Sequence, residues 1–436
     1  MRRQLLTSAA IGVLMASGPA LAETVTIATV NNGDMIVMQR LSSAFEEQNP
    51  DIELDWVVLE ENMLRQRATT DIATGGGQFD VMTIGTYEVP IWAAQGWLEP
   101  IDGLPDDYDV DDVLAPVRDG LSHDGTLYAL PFYAESSMLF YRSDLFEEAG
   151  IEVPEQPTWP EVRGWAEQLH DPDNELYGIC LRGKPGWGEN MALVTTMVNT
   201  FGGQWFNTDW EPQINSEPFN EAVTFYVDLL GNYGPPGASS NGFNENLALF
   251  STGKCAMWID ATVAAGMLFN ADQSQVADSL GFAQAPIEKH PKGANWLWSW
   301  ALGIPASSDA KDSAKAFITW ATSKDYIELA AESEGWVSAP PGTRTSTYEH
   351  TEYQDAAPFA GAVLTAIETA DPVETTADPK PYVGVQFATI PEFQAIGTQV
   401  GQMVAAALTG QMPVEQALDS AQRATERTMQ QAGYPK

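Results

Sequence analysis

Several polar side chains of this chain stand where strand-like runs give way to loops, and their types suit hydrogen bonding to a small polar molecule. Asn32 and Asp34 follow the alternating run Thr24–Val30, and Glu88 follows Phe79–Ile84. Arg182 follows Leu176–Leu181, and Asp260 follows Lys254–Ile259. Glu135 lies in Tyr133–Ser137, and Gln386 in Pro381–Phe387. A hydroxyl taken out of water needs a partner, because an unpaired buried polar group costs about 1–3 kcal/mol. Carboxylates and guanidinium groups form the stronger, charge-assisted hydrogen bonds. Asn offers donor and acceptor together. Tyr87, Trp187, Trp258, Trp298, Trp300 and Trp336 lie on or beside the same loops and crossings, and flat rings exclude water at little entropic cost. Structural roles compete at several positions. Asp34 fits a helix cap, Trp258 a core position, and Arg182 a counter-charge to nearby acids. Trp296, Trp298 and Trp300 share one strand face, so at least one of them should be packing.

Other chemistries find no support. The chain has no Gly-x-Ser-x-Gly elbow, phosphate-binding loop, His-Glu-x-x-His or calcium-loop pattern. Gly253-Lys254 lacks the upstream glycine of a phosphate loop, since Ala248 stands there. His123, His170, His290 and His350 are scattered through polar, turn-like contexts that suit surface residues. Two cysteines without a nearby histidine make no metal site, and no cofactor is expected. A hydrolase using two carboxylates would have to draw on Glu135 and Asp260, but nothing in their spacing sets them apart from the other acids. The chain is therefore read as a non-enzyme.

The elements that would position these residues alternate between strand and helix. After Thr24–Val30 and the break Asn31–Asp34, the residues Val37, Met38, Leu41, Ala44 and Phe45 keep helical spacing, with Asp34 placed to cap the first turn. The unit recurs: Val57–Leu59 leads to a helix around Met63–Ala73, Leu176–Leu181 to Asn190–Phe201, and Lys254–Ile259 to Ala261–Phe269. Such alternation predicts an α/β fold with mostly parallel sheets flanked by helices. Ligands in such folds bind beyond the carboxyl ends of strands. Residues 23–436 exceed what one core usually supports, yet no flexible linker is visible. Two lobes joined by short crossings near Tyr133–Ser137, Ser299–Ala301 and Gly335–Pro340 are expected.

Met1-Arg2-Arg3, the apolar stretch Leu5–Met15 and Ala20-Leu21-Ala22 describe an export signal over residues 1–22, cleaved before Glu23. Residue 23 is not cysteine, so no lipid anchor forms there, and no later run is long and apolar enough to span a membrane. The expected location is the periplasm. Sixty Asp and Glu against 21 Lys and Arg give a net charge of −39, which becomes −41 once Arg2 and Arg3 are removed. That charge excludes general nucleic-acid binding and argues against docking on anionic lipid. Cys180 and Cys255 both survive cleavage. An oxidising compartment permits a bridge between them, the alternative being two buried thiols.

Longer stretches resemble a known family. Asn246-Leu247-Ala248-Leu249-Phe250-Ser251-Thr252-Gly253-Lys254-Cys255-Ala256-Met257-Trp258 resembles a helix-to-strand signature of extracellular solute-binding proteins of the maltose-binding type, the capture subunits of ATP-driven importers. Leu130–Glu135 with Leu139–Phe146 resembles that family's first lobe crossing, and Phe79–Met82 with Ala94–Leu98 its third strand and following helix. Thr29–Met35, Arg182–Asn190, Trp258–Val263 and Pro381–Phe387 are most similar to the branch that binds sorbitol and mannitol. The resemblance implies a two-lobe periplasmic-binding fold of type II that shuts on its ligand. Lobe 1 would comprise 23–134 plus 300–336, and lobe 2 135–299 plus 337–436. It also implies a ligand-facing Glu135, a stacking Trp336, a membrane permease partner and a monomeric receptor. Ile84 stands where maltose binders carry tryptophan, which fits a small ligand better than a long oligosaccharide. Readings as a receptor for a monosaccharide, disaccharide or glycoside, or as a chemosensory carrier, stay open.

Overall fold

The computed structural model describes residues 22–435, so the export signal expected over 1–22 lies outside the described residues except for Ala22. Among the described residues ten strands alternate with helices. They are β1 (Glu23–Val30), β2 (Ile52–Leu59), β3 (Val81–Gly85), the two-residue β4 (Ser122–His123) and β5 (Thr126–Leu127), β6 (Ala129–Glu135), β7 (Ser137–Arg142), β8 (Met257–Ala261), β9 (Leu280–Gln284) and β10 (Trp298–Gly303). A five-stranded sheet has the order β2-β1-β3-β10-β6, and a three-stranded sheet the order β8-β7-β9. In the first, β2, β1 and β3 pair in parallel, as helical crossovers between consecutive strands require. The strands beside the chain crossings run the other way. β10 is antiparallel to both β3 and β6, and β7 is antiparallel to both β8 and β9.

The chain leaves the first sheet at the end of β6, and after Ser136 alone it enters the second as β7. It returns between Gln284 and Trp298, and runs again from first-sheet helices to second-sheet helices through the 3-10 turn Trp336–Ser338. β6 carries Pro131, which cannot donate to a neighbour, and the register shifts there: Trp300 faces Tyr133 while Ala301 faces Pro131. The strand therefore presents Tyr133 and Glu135 on one face, next to Trp300 and Trp298 of β10.

Local sequence explains the loop that follows β1. Asn32, not Asp34, caps the helix Gly33–Leu41, its side-chain oxygen accepting from Met35 N at 2.9 Å. The helix Glu61–Thr74 buries Leu64, Ala68 and Ile72 on one face and stops at Gly75, whose φ of 62° suits a residue without Cβ. Asn190–Phe201 is helical over the expected span. Leu176–Leu181 is not a strand: its ladder pairing is limited to the isolated bridges Asp171–Leu176, Tyr177–Cys255 and Cys180–Trp258. Cys180 and Cys255 are joined as a disulfide, with Cα atoms 5.9 Å apart.

Candidate ligand-binding site

A cavity of about 160 Å³ lies where the ends of β1, β6 and β10 meet the loop 182–189. Asn32, Glu135, Arg182, Trp187, Trp298, Trp300 and Gln386 all line it, so the structure gathers these predicted residues from widely separated parts of the chain. Trp298 pairs directly opposite Glu135. Trp296, Trp298 and Trp300 all line the cavity, and all three are also buried as part of the hydrophobic core, so the expected packing role holds alongside the lining one. Trp187 meets Trp298 edge to face at 5.7 Å. Gly85 makes room for this wall, since a Cβ there would lie 2.1 Å from the Trp298 ring.

The polar groups are held firmly. Arg182 donates through Nε to both oxygens of Asp260, at 3.0 and 2.9 Å, and through Nη2 to Oδ1 at 2.6 Å. Its Nη1 donates to the Gly188 carbonyl at 2.9 Å. Burial disfavours the guanidinium charge, but Asp260 and Glu189 outweigh that and hold Arg182 more firmly protonated than a free arginine. Asn32 donates from Nδ2 to the Tyr133 hydroxyl at 2.9 Å. Gln386 donates to the Leu297 carbonyl at 2.9 Å and accepts from Leu297 N, so its amide fixes the wall more than it searches for ligand. Burial, with the charges of Asp260, Glu61 and Asp34, pushes the Glu135 carboxyl well above its usual range against the pull of Arg182.

Six predicted residues stand elsewhere. Asp260 does not line the cavity; four donors saturate it, Trp258 Nε1 and Ala261 N completing those of Arg182, so it positions the arginine. Glu88 is buried against Arg65 Nη1 at 2.7 Å and accepts from Gly85 N. Trp258 is core, fully buried beside Phe140, Phe243 and Phe250. Tyr87 backs Trp187 with centroids 4.7 Å apart, and its hydroxyl donates to the Ile390 carbonyl at 3.0 Å. Trp336, half-buried in the 3-10 turn after Gly335, stacks on His350 at 3.9 Å and does not line the cavity. Asp34 lines a separate small cavity.

The largest omission from the sequence reading is Arg65. It reaches from the helix Glu61–Thr74 over the rings of Trp187, Trp298 and Trp300, at 4.0, 4.7 and 4.8 Å. Glu61 and Glu88 anchor it, which leaves guanidinium N–H groups for a ligand. The signal was present: a charged residue on the helix face otherwise marked by Leu64, Ala68 and Ile72. Glu61 lies one turn earlier, at the i,i+4 spacing that brings side chains together. Gly188 permits the approach, as a Cβ there would come within 2.3 Å of Glu61 and 2.9 Å of Arg65. Glu189, Lys184, Glu245 and Tyr133 also face the cavity. Burial and the neighbouring Glu61 push Glu189 up to about 7, with Arg182 and Lys184 opposing.

The cavity thus offers charged groups of both signs set among indoles. The Nε1–H of Trp187, Trp296 and Trp298 and Oε2 of Glu189 are buried and make no hydrogen bond within the protein, Oε2 lying 3.9 Å from Arg182 Nη1. These atoms ask for a ligand that carries many small acceptors and donors.

The family of bacterial extracellular solute-binding proteins matches residues 32–328. The chain is 62% identical to a mannitol-binding protein of Pseudomonas aeruginosa, across 97% of this chain and 96% of that one. A solute-binding protein of Agrobacterium vitis, solved with bound D-mannitol, superimposes with a TM-score of 0.94 at 59% identity, covering 95% of this chain and all of the other (100%). One from Agrobacterium radiobacter, in complex with ribitol, gives a TM-score of 0.81 at 25% identity, covering 94% and 100%. The chain shares their two-lobe α/β fold, and it belongs to the bacterial extracellular solute-binding protein family.

Proposed function

We propose that this protein is the polyol-capturing subunit of an ATP-driven importer, with D-mannitol as its ligand. The observation that carries the reading is the cavity wall itself. Three indole N–H donors and a carboxylate oxygen of its lining residues make no hydrogen bond within the protein, beside Arg65, Arg182 and Glu135. A hexitol brings six hydroxyls, each both donor and acceptor, and could satisfy them together. Each polar atom left unpaired under a poorer ligand would cost about 1–3 kcal/mol. The small cavity also suits an acyclic polyol better than an oligosaccharide. The similarity to mannitol- and ribitol-binding relatives supports the same ligand class.

In this reading the lobes 23–134 plus 300–336 and 135–299 plus 337–436 close on the polyol about the crossings. Contacts already link the rims: Asn244 Nδ2 donates to the Asn31 carbonyl at 2.9 Å, and Lys184 pairs with Glu60. Ligand contacts to both lobes would shift the population toward the shut form. A permease would then recognise that form, and its ATPase would supply the energy for release. The protein acts as an exported periplasmic monomer and returns its ligand chemically unchanged.

Calorimetric titration with D-mannitol, D-sorbitol, ribitol, D-mannose and maltose tests the proposal. A hexitol should bind at least a hundredfold more tightly than maltose. Maltose binding as tight as any hexitol, or no alditol binding at all, would overturn it.

A further inference from the structure

A second cavity of about 50 Å³, with both polar and apolar walls, adjoins the ligand cavity, and Val263 lines both. Val263 is 4% exposed and stands at the head of the helix Ala264–Leu268. Next to it Met267 lies tight against Gly33, where a Cβ would come within 2.9 Å of Met267 Cε. The second cavity draws on several elements: Asp34 from the helix Gly33–Leu41, Tyr353 from the helix Thr351–Ala356, and Gln273 and Ser338 from loops and turns. Two of its lining residues carry buried polar atoms, Asp34 Oδ2 and Tyr353 Oη, that make no hydrogen bond within the protein. Tyr353 is 0% exposed. Dry cavities are lined by apolar groups, whereas one of more than about 10–15 Å³ with polar walls holds water. This wall therefore calls for hydroxyl or water oxygens.

We infer that the cavity behind Val263 is a second, hydroxyl-accepting subsite, and that Val263 sets the maximum ligand length by keeping it apart from the first. The inference rests on the polyol reading and extends it. With a hexitol in the main cavity, water completes Asp34 and Tyr353. A seven-carbon alditol would need to thread its extra hydroxymethyl group past the Val263 methyls. Trimming that side chain joins the two spaces, and the added hydroxyl then meets the same polar atoms that water serves.

The test titrates the full-length mature protein with D-mannitol and with a seven-carbon alditol. The wild type should bind the heptitol at least tenfold more weakly than mannitol. Val263→Ala should narrow that ratio tenfold or more by improving heptitol binding, with mannitol changed less than about threefold. Adding Tyr353→Phe or Asp34→Asn should abolish most of the gain and leave mannitol alone. A folded Val263→Ala variant with an unchanged ratio would overturn the inference, and Val263→Ser carries the same test should the alanine variant not fold. A high-resolution structure of the wild type gives an independent reading. Oxygen density within hydrogen-bond distance of both Asp34 Oδ2 and Tyr353 Oη is expected, and a dry cavity would contradict the assignment. The mannitol titration of the wild type reports separately on the polyol reading.

Discussion

Asp260→Asn separates a positioning residue from a ligand contact. Asp260 accepts from Arg182, from Trp258 Nε1 and from Ala261 N, and it is 1% exposed. Asparagine keeps the shape but removes the charge, and it turns an N–H pair toward the guanidinium donors. The other nearby carboxylate, Glu189, sits 3.9 Å from Arg182 Nη1, too far to replace the lost bonds. Breaking one side of a buried ion pair typically costs about 3–5 kcal/mol. With an unfolding entropy of roughly 2 cal/mol/K per residue, a chain of this length should melt about 4–6 °C lower. Arg182 lines the cavity, so its misplacement should also remove a charged hydrogen bond to the ligand. Such a bond is worth about 1.5–3 kcal/mol, or roughly ten- to a hundredfold in Kd. Calorimetry with D-mannitol and melting of the ligand-free protein read the two effects separately. A Kd loss with an unmoved melting temperature would mean that Asp260 touches the ligand itself, as the sequence suggested. No change in either would remove the Arg182–Asp260 pair from the account.

Three further outcomes are expected. Arg65→Lys loses the planar contact with three indoles and the paired bonds to Glu61 and Glu88, so D-mannitol Kd should rise at least tenfold by calorimetry. Asp34 and Glu189 are both raised to about 7 by burial, so between about pH 4 and 7 the folded chain keeps protons that the unfolded chain releases. Stability should therefore fall as pH rises through that window, by about 2 kcal/mol per group between pH 5.5 and 7.5. Melting of the ligand-free protein should be higher at pH 5.5, and Glu189→Gln should flatten the profile. The disulfide joins residues 75 positions apart, so Cys180→Ser with Cys255→Ser should cost about 4 kcal/mol in chemical denaturation.

The sequence carried the architecture because strand and helix periods are local properties. The helix Asn190–Phe201 and the strand–loop–helix unit around Asn32 follow directly from them. Leu176–Leu181 reads as a strand by the same rule, yet tertiary context leaves it only three isolated bridges. Within the site, residue types and strand-end placement identify which carboxylates and indoles matter, but not what each one faces. Asp260 answers to an arginine 78 positions away, and that pairing has no local signature. Trp258 alternates like a wall residue, but its ring points into the core. Arg65 was hidden by the opposite error. Its helix reads as ordinary, and only the placement of a charge on the apolar face marks it as part of a buried site.

A crystal structure grown with D-mannitol tests the central claim most directly. The intact hexitol should fill the space between Glu135, Arg65 and Arg182, with its oxygens meeting the unpartnered Nε1 atoms of Trp187, Trp296 and Trp298. A hexitol bound elsewhere, or indole donors still unpaired with ligand in place, would contradict it.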